Sequence, residues 1–201
     1  MGSWIATVGG GEPQDFPGRL RAVIGVVQRA ADSLRDAHRP RHVSMEWAEI
    51  DDGGHEVGFH DDDETDVTSW EEVLGCLQRL GGNPDRGVVE SMFVEFDTEV
   101  ELDEGATWIE RAGELQIGAD RTLDEARVEV GVVYATFVDI WLAENRTTQT
   151  LGGRNDALAA KNRPRLHRTL ARLATALEAS FAAFSSDRYL SQLTDQGFRE
   201  P

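Results

Sequence analysis

The longest apolar run of the chain, from Ala126 to Ala143, is also its richest stretch in β-branched and aromatic residues. Alternate residues of an extended chain share one face, and in this run both faces are apolar near the middle. Helical spacing would also group its largest side chains, but the density of Val, Ile, Thr and aromatic residues favours a strand. The run therefore predicts a central strand, covered on both faces and bent near Gly131.

The size and composition of the chain are typical of soluble single-domain proteins. Its 201 residues can bury a sizeable core without metals or disulfides, and a single cysteine, Cys76, excludes an internal disulfide. The sequence contains no run of about 18 apolar residues and no secretory signal pattern, so we expect a cytoplasmic protein. Arginine supplies all but one of the 20 basic residues, which together with abundant Ala, Gly and Val indicates a high-GC bacterial genome.

Acidic residues are concentrated in the middle of the chain. Residues 41–130 hold 26 Asp and Glu against six Arg, a net charge of −20, whereas the two flanks together carry +3. Binding to nucleic acid or to an anionic membrane requires Lys and Arg that neutralise phosphate, so this block argues against both partners. The block favours solubility in any case, and it can also attract a basic partner over a long range.

Capping residues and helical spacing predict two helices in the first half of the chain. Residues 1–14 include three consecutive glycines and are expected to form a flexible segment or an edge strand. Asp15 can cap a helix with one apolar stripe. Ser69 and Glu72 form a capping box for a second helix, which nearby glycines and a proline end.

Strand patterns account for most of the remaining residues. Residues 42–50 and 55–60 are joined by a turn composition suited to a hairpin. Strict alternation over residues 88–102 predicts a half-buried antiparallel strand. Two shorter strands, 107–110 and 114–117, complete a meander with the central run.

A final helix is expected to reach about Phe184, broken or restarted near Pro164. Together the elements predict an α+β fold: an antiparallel sheet of five or six strands with N-terminal, middle and C-terminal helices packed on it. One domain spans residues 15–184, and residues 185–201 form a C-terminal tail.

Four carboxylates alternate along the strand predicted over residues 88–102: Glu95, Asp97, Glu99 and Glu101. Residues two apart stand about 6.8 Å apart on one face, at about 3.4 Å per residue. Neighbouring carboxylates repel one another and contribute little to folding stability, so a role in binding would explain their presence. The same alternation is also the ordinary solvent face of an antiparallel sheet. We interpret the row as a docking face for a basic groove, joined by the acidic loop of Asp61, Asp62 and Asp63.

The sequence does not indicate metal binding or nucleophilic catalysis. His55 and His60 flank a short strand beside the acidic loop, but five positions along a strand place their rings on opposite faces. Cys76 has no histidine near it in sequence and is interpreted as an inert packed thiol. No G-x-S-x-G, H-E-x-x-H or nucleotide-binding motif is present. We therefore predict no catalytic residue, no metal and no cofactor.

The sequence thus predicts a non-enzymatic acidic binding protein, an inhibitor or immunity protein that blocks a basic toxin or nuclease through its acidic sheet face. One alternative is a small-molecule-binding or enzymatic domain, with a pocket between sheet and helix lined by Tyr134, Asp139 and Trp141. Another is an adaptor that uses exposed leucines of the final helix. Three arginines of that helix, at i, i+3 and i+7, can bind an anion or pair with the acidic body: Arg165, Arg168 and Arg172.

Overall fold

A computed structural model of the protein describes residues 2–9, 11, 15–50, 56–61, 64–81, 87–119, 128–138, 140–142, 156–186 and 193–198. These ranges contain three helices, α1 (Phe16–Leu34), α2 (Trp70–Gly81) and α3 (Asp156–Leu177). They also contain ten strands: β1 (Gly2–Gly9), β2 (His38–Ile50), β3 (Glu56–Asp61), β4 (Thr65–Asp66), β5 (Val88–Leu102), β6 (Gly105–Ala119), β7 (Glu129–Thr136), β8 (Ala183–Ser185), β9 (Leu193–Thr194) and β10 (Gly197–Phe198).

Eight of these strands form one antiparallel sheet. Their order is β3-β2-β5-β6-β7-β1-β8, with β4 paired to β2, while β9 and β10 form a separate hairpin. The predicted α+β class, with N-terminal, middle and C-terminal helices packed on an antiparallel sheet, is confirmed. The sheet is larger than the predicted five or six strands because β1 and two short segments, β4 and β8, also join it.

The helices cover one face of the sheet. The side chains of that face are buried in the core, among them Trp4, Met45, Phe96, Leu115 and Tyr134. In β7 the alternate residues Gly131, Val133 and Ala135 are only half-buried, and within the described ranges no helix packs on their side. Of the two faces of the central strand that were predicted to be covered, the described helices pack on one, and the other is half-buried. We call the second side the open face and define it by Ile5, Phe93, Gln116 and Val133.

Local capping explains where the first two helices begin. Asp15 Oδ1 accepts a hydrogen bond from the Gly18 N–H at 2.8 Å, and Ser69 Oγ accepts one from the Glu72 N–H at 3.2 Å. The Glu72 carboxylate in turn accepts from the Thr68 N–H at 2.7 Å, which also lowers the pKa of Glu72. Both predicted helix starts are confirmed.

Residues from both ends of the chain belong to the fold. β1 pairs along its length with β7 and, on its other side, with β8. Its residue Trp4 is fully buried and donates its Nε1–H to the Thr194 carbonyl at 2.7 Å. Leu193 and Phe198 of the C-terminal hairpin are buried in the same core. Residues 2–9, predicted to be a flexible segment or an edge strand, thus form an interior strand, and part of the predicted tail packs on the core.

Helix α3 runs without interruption past Pro164, where a break was predicted, and it ends seven residues earlier than expected. Tertiary contacts hold the turn that contains the proline. The Arg163 Nε–H donates to the Trp141 carbonyl at 2.7 Å, and the Asn162 side chain binds the backbone of β5. These bonds offset the helical hydrogen bond that proline removes.

Strands β5, β6 and β7 form the predicted meander, but with three strands instead of four. The two shorter strands predicted over 107–110 and 114–117 are one strand, β6, and the break between them is a bulge inside it. There the register between β5 and β6 shifts at Asp97, and Arg111 adopts a φ of 47°. Gly113 is required beside the bulge, because a Cβ at this position would lie 2.5 Å from the Ala135 carbonyl oxygen.

Candidate functional site

The acidic row predicted along β5 is not a line of free carboxylates. Asp97 is fully buried at the bulge, and both of its oxygens have partners. Arg41 Nε and Nη2 each lie 2.6 Å from Oδ2, and the Arg111 N–H donates to Oδ1 at 3.1 Å. The hydrogen bond and the charge of Asp97 raise the pKa of Arg41. Asp97 therefore binds its own chain.

Glu99 and Glu101 are held by helix α3. Arg165 places Nη1 2.9 Å from Glu99 Oε2 and Nη2 2.7 Å from Glu101 Oε2. One turn earlier, Lys161 Nζ lies 2.7 Å from Asp103 Oδ1, and its hydrogen bond lowers the pKa of Asp103. These ion pairs join α3 to the end of β5. Of the two roles expected for Arg165, pairing with the acidic body is therefore the one the structure has.

Glu95 lies on the open face, whereas the side chains of its sequence neighbours Val94 and Phe96 are buried in the core. It stands directly opposite Glu114 of β6, and Arg111 Nε lies 3.6 Å from its Oε2. Like charges that face each other on neighbouring strands destabilise a sheet. Two half-buried carboxylates therefore meet on the side of the sheet that no described helix covers.

Three apolar side chains and one glutamine cross the middle of the open face. Four residues stand side by side in register on four neighbouring strands: Phe93, Gln116, Val133 and Ile5. Of these, Ile5 is 37% exposed. The next row across the strands carries Glu95 and Glu114, and the row on the other side carries Glu46. The open face thus combines an apolar strip, defined by Phe93, Val133 and Ile5 and interrupted by the polar Gln116, with carboxylates on both flanks.

A groove of about 320 Å³ lies beside the apolar strip. Its floor is a cross-strand pair of glycines, Gly118 and Gly131, and Thr7, Glu90 and Val133 are among the residues around it. A Cβ on Gly131 would lie 3.7 Å from its nearest neighbour, an ordinary contact. Packing within the chain therefore does not require glycine at this position, and the missing side chain leaves room for a group from a partner.

Burial raises the pKa of Glu114, and the negative charge of Glu95 raises it further. When folding raises the pKa of a carboxyl group, its charge destabilises the folded protein at pH values above that pKa. Below the unfolded-state pKa of about 4.3 the group is protonated in both states, and the destabilisation is absent. We therefore expect Glu114→Gln to raise the free energy of unfolding at pH 7 by about 0.5 kcal/mol, a value discounted for solvent screening. Urea unfolding should show that this gain disappears near pH 3.5, while Glu104→Gln in the exposed β5–β6 turn gives no such pH-dependent gain. An equal gain at both pH values would contradict the electrostatic explanation.

Most of the predicted acidic loop lies outside the described residues. The backbone of Asp61 ends β3 and pairs with Glu46, whereas Asp62, Asp63 and the side chain of Asp61 are not described. The same holds for His55 and for the side chain of His60, so the prediction that their rings lie on opposite faces stays a prediction.

Cys76 is a buried free thiol in α2. Its sulfur accepts a hydrogen bond from Arg79 Nη2 at 3.3 Å. Across the part of the chain that the structure describes, no group of three or more His, Cys, Asp or Glu side chains is placed to hold a metal ion. The leucine stripe of α3 is buried in the core, so it does not form the exposed surface that an adaptor would use: Leu166, Leu170, Leu173 and Leu177.

A cavity of about 170 Å³ lies on the helix side of the sheet, next to α1 and α3. Tyr134 and Trp141, which were expected to line a pocket between sheet and helix, both line it, whereas Asp139 falls outside the described residues. The sequence pattern did not identify His38 as part of this pocket. Its buried ring has Nδ1 3.0 Å from Thr98 Oγ1, and burial lowers the pKa of His38 to about 3. No local signal marks His38, because its partners come from distant strands.

Comparison of the chain with known protein families found no match, and comparison with curated proteins found none either. No helix in the described ranges has both the length and the apolar character that crossing a membrane requires. The function proposed below therefore rests on the surfaces of this chain alone.

Proposed function

We propose that this chain is a non-enzymatic, cytoplasmic bacterial binding protein, an inhibitor or immunity protein that neutralises a basic toxin or nuclease. The open face is the surface that would bind the partner. The observation that carries the proposal is the apolar strip of Phe93, Val133 and Ile5, interrupted by Gln116, with half-buried carboxylates on both of its flanks. Such a combination is typical of protein interfaces, where an apolar centre excludes water and a charged rim sets partner and orientation.

The carboxylates of the open face determine the chemistry of the partner. Glu95 and Glu114 face each other, and among the described residues Arg111 is the arginine paired with Glu95, so a cation inserted between the two carboxylates would relieve their repulsion. Glu46 supplies a further negative charge on the other side of the strip. A nuclease binds phosphate through Lys and Arg, and carboxylates fixed on a rigid sheet can occupy those cations in place of the nucleic acid.

The proposal assigns different roles to the acidic residues that the sequence grouped together. Glu95 stays in the binding surface and is joined by Glu46 and Glu114. Asp97 and the pair bound by Arg165 support the fold, because their carboxylates already bind arginines of the same chain. Asp61, which pairs in register with Glu46, remains a candidate contact, and so do Asp62 and Asp63, which lie outside the described residues.

The test is a pull-down from source-cell lysate at low and moderate salt, followed by mass spectrometry and rate measurements with the captured protein. We expect the wild type to retain a basic protein that elutes as salt rises. The triple variant Glu46→Lys, Glu95→Lys, Glu114→Lys should lose it, with an association rate at least about tenfold lower at low salt.

The control variant carries the same change in net charge away from the open face: Glu71→Lys, Glu104→Lys and Glu178→Lys, all at exposed positions. It should bind nearly as well as the wild type. Equal loss in both variants would mean that net charge alone attracts the partner. Full binding by the open-face variant, once its fold is verified, would rule out this surface.

A further inference from the structure

The groove beside the apolar strip has a floor that the packing of the chain explains only in part. Gly118 and Gly131 stand opposite each other on β6 and β7. A Cβ on Gly118 would lie 3.0 Å from Ser91 Oγ, so a neighbouring side chain crowds that position. Gly131 has no such constraint, because its Cβ would meet nothing closer than 3.7 Å and its φ lies outside the left-handed region.

Gly131 is therefore a glycine without a reason inside the fold. Glycine weakens the interior of a strand, because it loses more conformational freedom on folding and has no side chain to pack. Gly131 lies within β7, and the register with β1 and with β6 is continuous past it, so no bulge accounts for it. Glycine inside a strand often marks a place where a group from another molecule approaches closely. The floor of the groove thus indicates a contact with a partner.

The walls of the groove restrict which group can enter. Val133 forms an apolar wall, and the half-buried Gln116 side chain has no hydrogen-bond partner among the described residues. Glu90 also lines the groove but is already engaged within the chain. The two glycines expose flat peptide planes between these walls. An apolar stem that carries a planar head with several N–H donors fits this combination.

Two carboxylates beside the groove favour a positively charged head. Glu129 lies two residues before Gly131 on the same face of β7, about 6.8 Å away at about 3.4 Å per residue. Glu46 lies in the same cross-strand row as the glycines, two strands from Gly118. Neither carboxylate forms an ion pair or a hydrogen bond within the described part of the chain. The groove is thus electrostatically complementary to a cation.

We propose that this groove binds an arginine side chain of the basic partner, an inference that rests on the function proposed above. The guanidinium would stack on the peptide planes of Gly118 and Gly131 and donate to the Gln116 side-chain oxygen. The stem would pack on Val133, and the flanking carboxylates would attract the charge. An arginine held in a pocket within an interface is the kind of contact that supplies much of the binding energy.

The test is a titration of the full chain with a blocked pentapeptide that has one arginine between glycines, followed by ¹H–¹⁵N NMR. We expect saturable shifts of the backbone amides of Gly118 and Gly131. The same peptide with citrulline keeps the shape of the side chain without its charge and should bind at least about fivefold more weakly. The peptide with lysine keeps the charge without the planar head and should bind about threefold more weakly.

Gly131→Leu fills the groove. Because the Cβ fits and a strand glycine is replaced, this variant should unfold at a urea concentration no lower than the wild type. It should nevertheless bind the arginine peptide at least about tenfold more weakly. Ala135→Leu adds bulk to the same face of β7 outside the groove and should bind like the wild type. Glu46→Gln combined with Glu129→Gln should weaken binding about threefold.

Shifts confined to amides outside the groove would overturn the proposal, and so would equal affinity of Gly131→Leu and the wild type or of the citrulline and arginine peptides. The protein captured in the pull-down separates this inference from the proposed function. If the triple lysine variant loses that protein and Gly131→Leu retains it fully, the open face binds the partner without an arginine in the groove, and only this inference is wrong. If neither variant changes the capture, both are wrong.

Discussion

The Asn162→Ala variant is expected to unfold with a free energy about 3 kcal/mol below that of the wild type. Asn162 is fully buried. β5 extends past the start of β2, and there the Asn162 amide forms the hydrogen bonds to the β5 backbone that a neighbouring strand would otherwise form. Its Oδ1 accepts from the Glu101 N–H at 2.7 Å, and its Nδ2 donates to the Glu101 carbonyl at 2.8 Å. Alanine leaves both backbone groups unpaired, and each buried unpaired group costs about 1–3 kcal/mol.

Urea unfolding of the wild type, Asn162→Ala and Lys161→Ala would measure this difference. Lys161 is the preceding residue of α3 but lies at the surface, so its replacement should leave the unfolding free energy nearly unchanged. A loss below about 1 kcal/mol for Asn162→Ala would show that water or relaxation of the backbone satisfies Glu101 equally well. A loss of about 3 kcal/mol in the unfolding free energy would establish that the Asn162 side chain fixes α3 to β5, although the sequence around Pro164 resembles a helix break.

Local signals were sufficient to predict the first two helices and the alternation along β5. Ser69 and Glu72 lie three residues apart, and the hydrogen bond between them forms within one turn. Pro164 is also a local signal, yet the helix continues past it. Bonds to Trp141 and to the backbone of β5 come from distant parts of the chain, so no property of residues 162–164 could reveal them.

The acidic row shows the same limit at the candidate site. Alternation correctly indicated a strand, but it could not show which carboxylates have arginine partners. Asp97 is buried because a bulge places it beside Arg41 and Arg111, which come from two neighbouring strands. Spacing along one strand does not determine such cross-strand pairing.

The pattern also could not distinguish the two faces of the central strand. Val132 and Val133 are adjacent and equally apolar, yet Val132 is in the core and Val133 lies on the open face. An apolar residue is consistent with a helix-covered face or with an interface that a partner covers. Only the placement of the helices separates the two, and that placement depends on packing of the whole chain.

Lowering the pH should destabilise the protein through His38. Its ring is buried against Phe96 and Tyr134, and the burial lowers its pKa to about 3, against about 6.5 in the unfolded chain. Because the folded-state pKa is depressed, the stabilisation is fully present above pH 6.5 and is lost as the pH falls toward 3. One pH unit corresponds to about 1.4 kcal/mol, so we expect a loss of about 2 kcal/mol between pH 7.5 and 5.

The range from pH 7.5 to 5 lies above the ordinary titration of carboxylates, and comparison with a His38 variant separates this ring from the other ionisable groups. His38→Gln is expected to be less stable than the wild type at pH 7.5 but to lose far less stability on acidification. His42→Gln, which removes a half-buried histidine from the open face, should keep most of the wild-type slope. If His38→Gln kept the full slope, the buried ring would not be the group that takes up the proton.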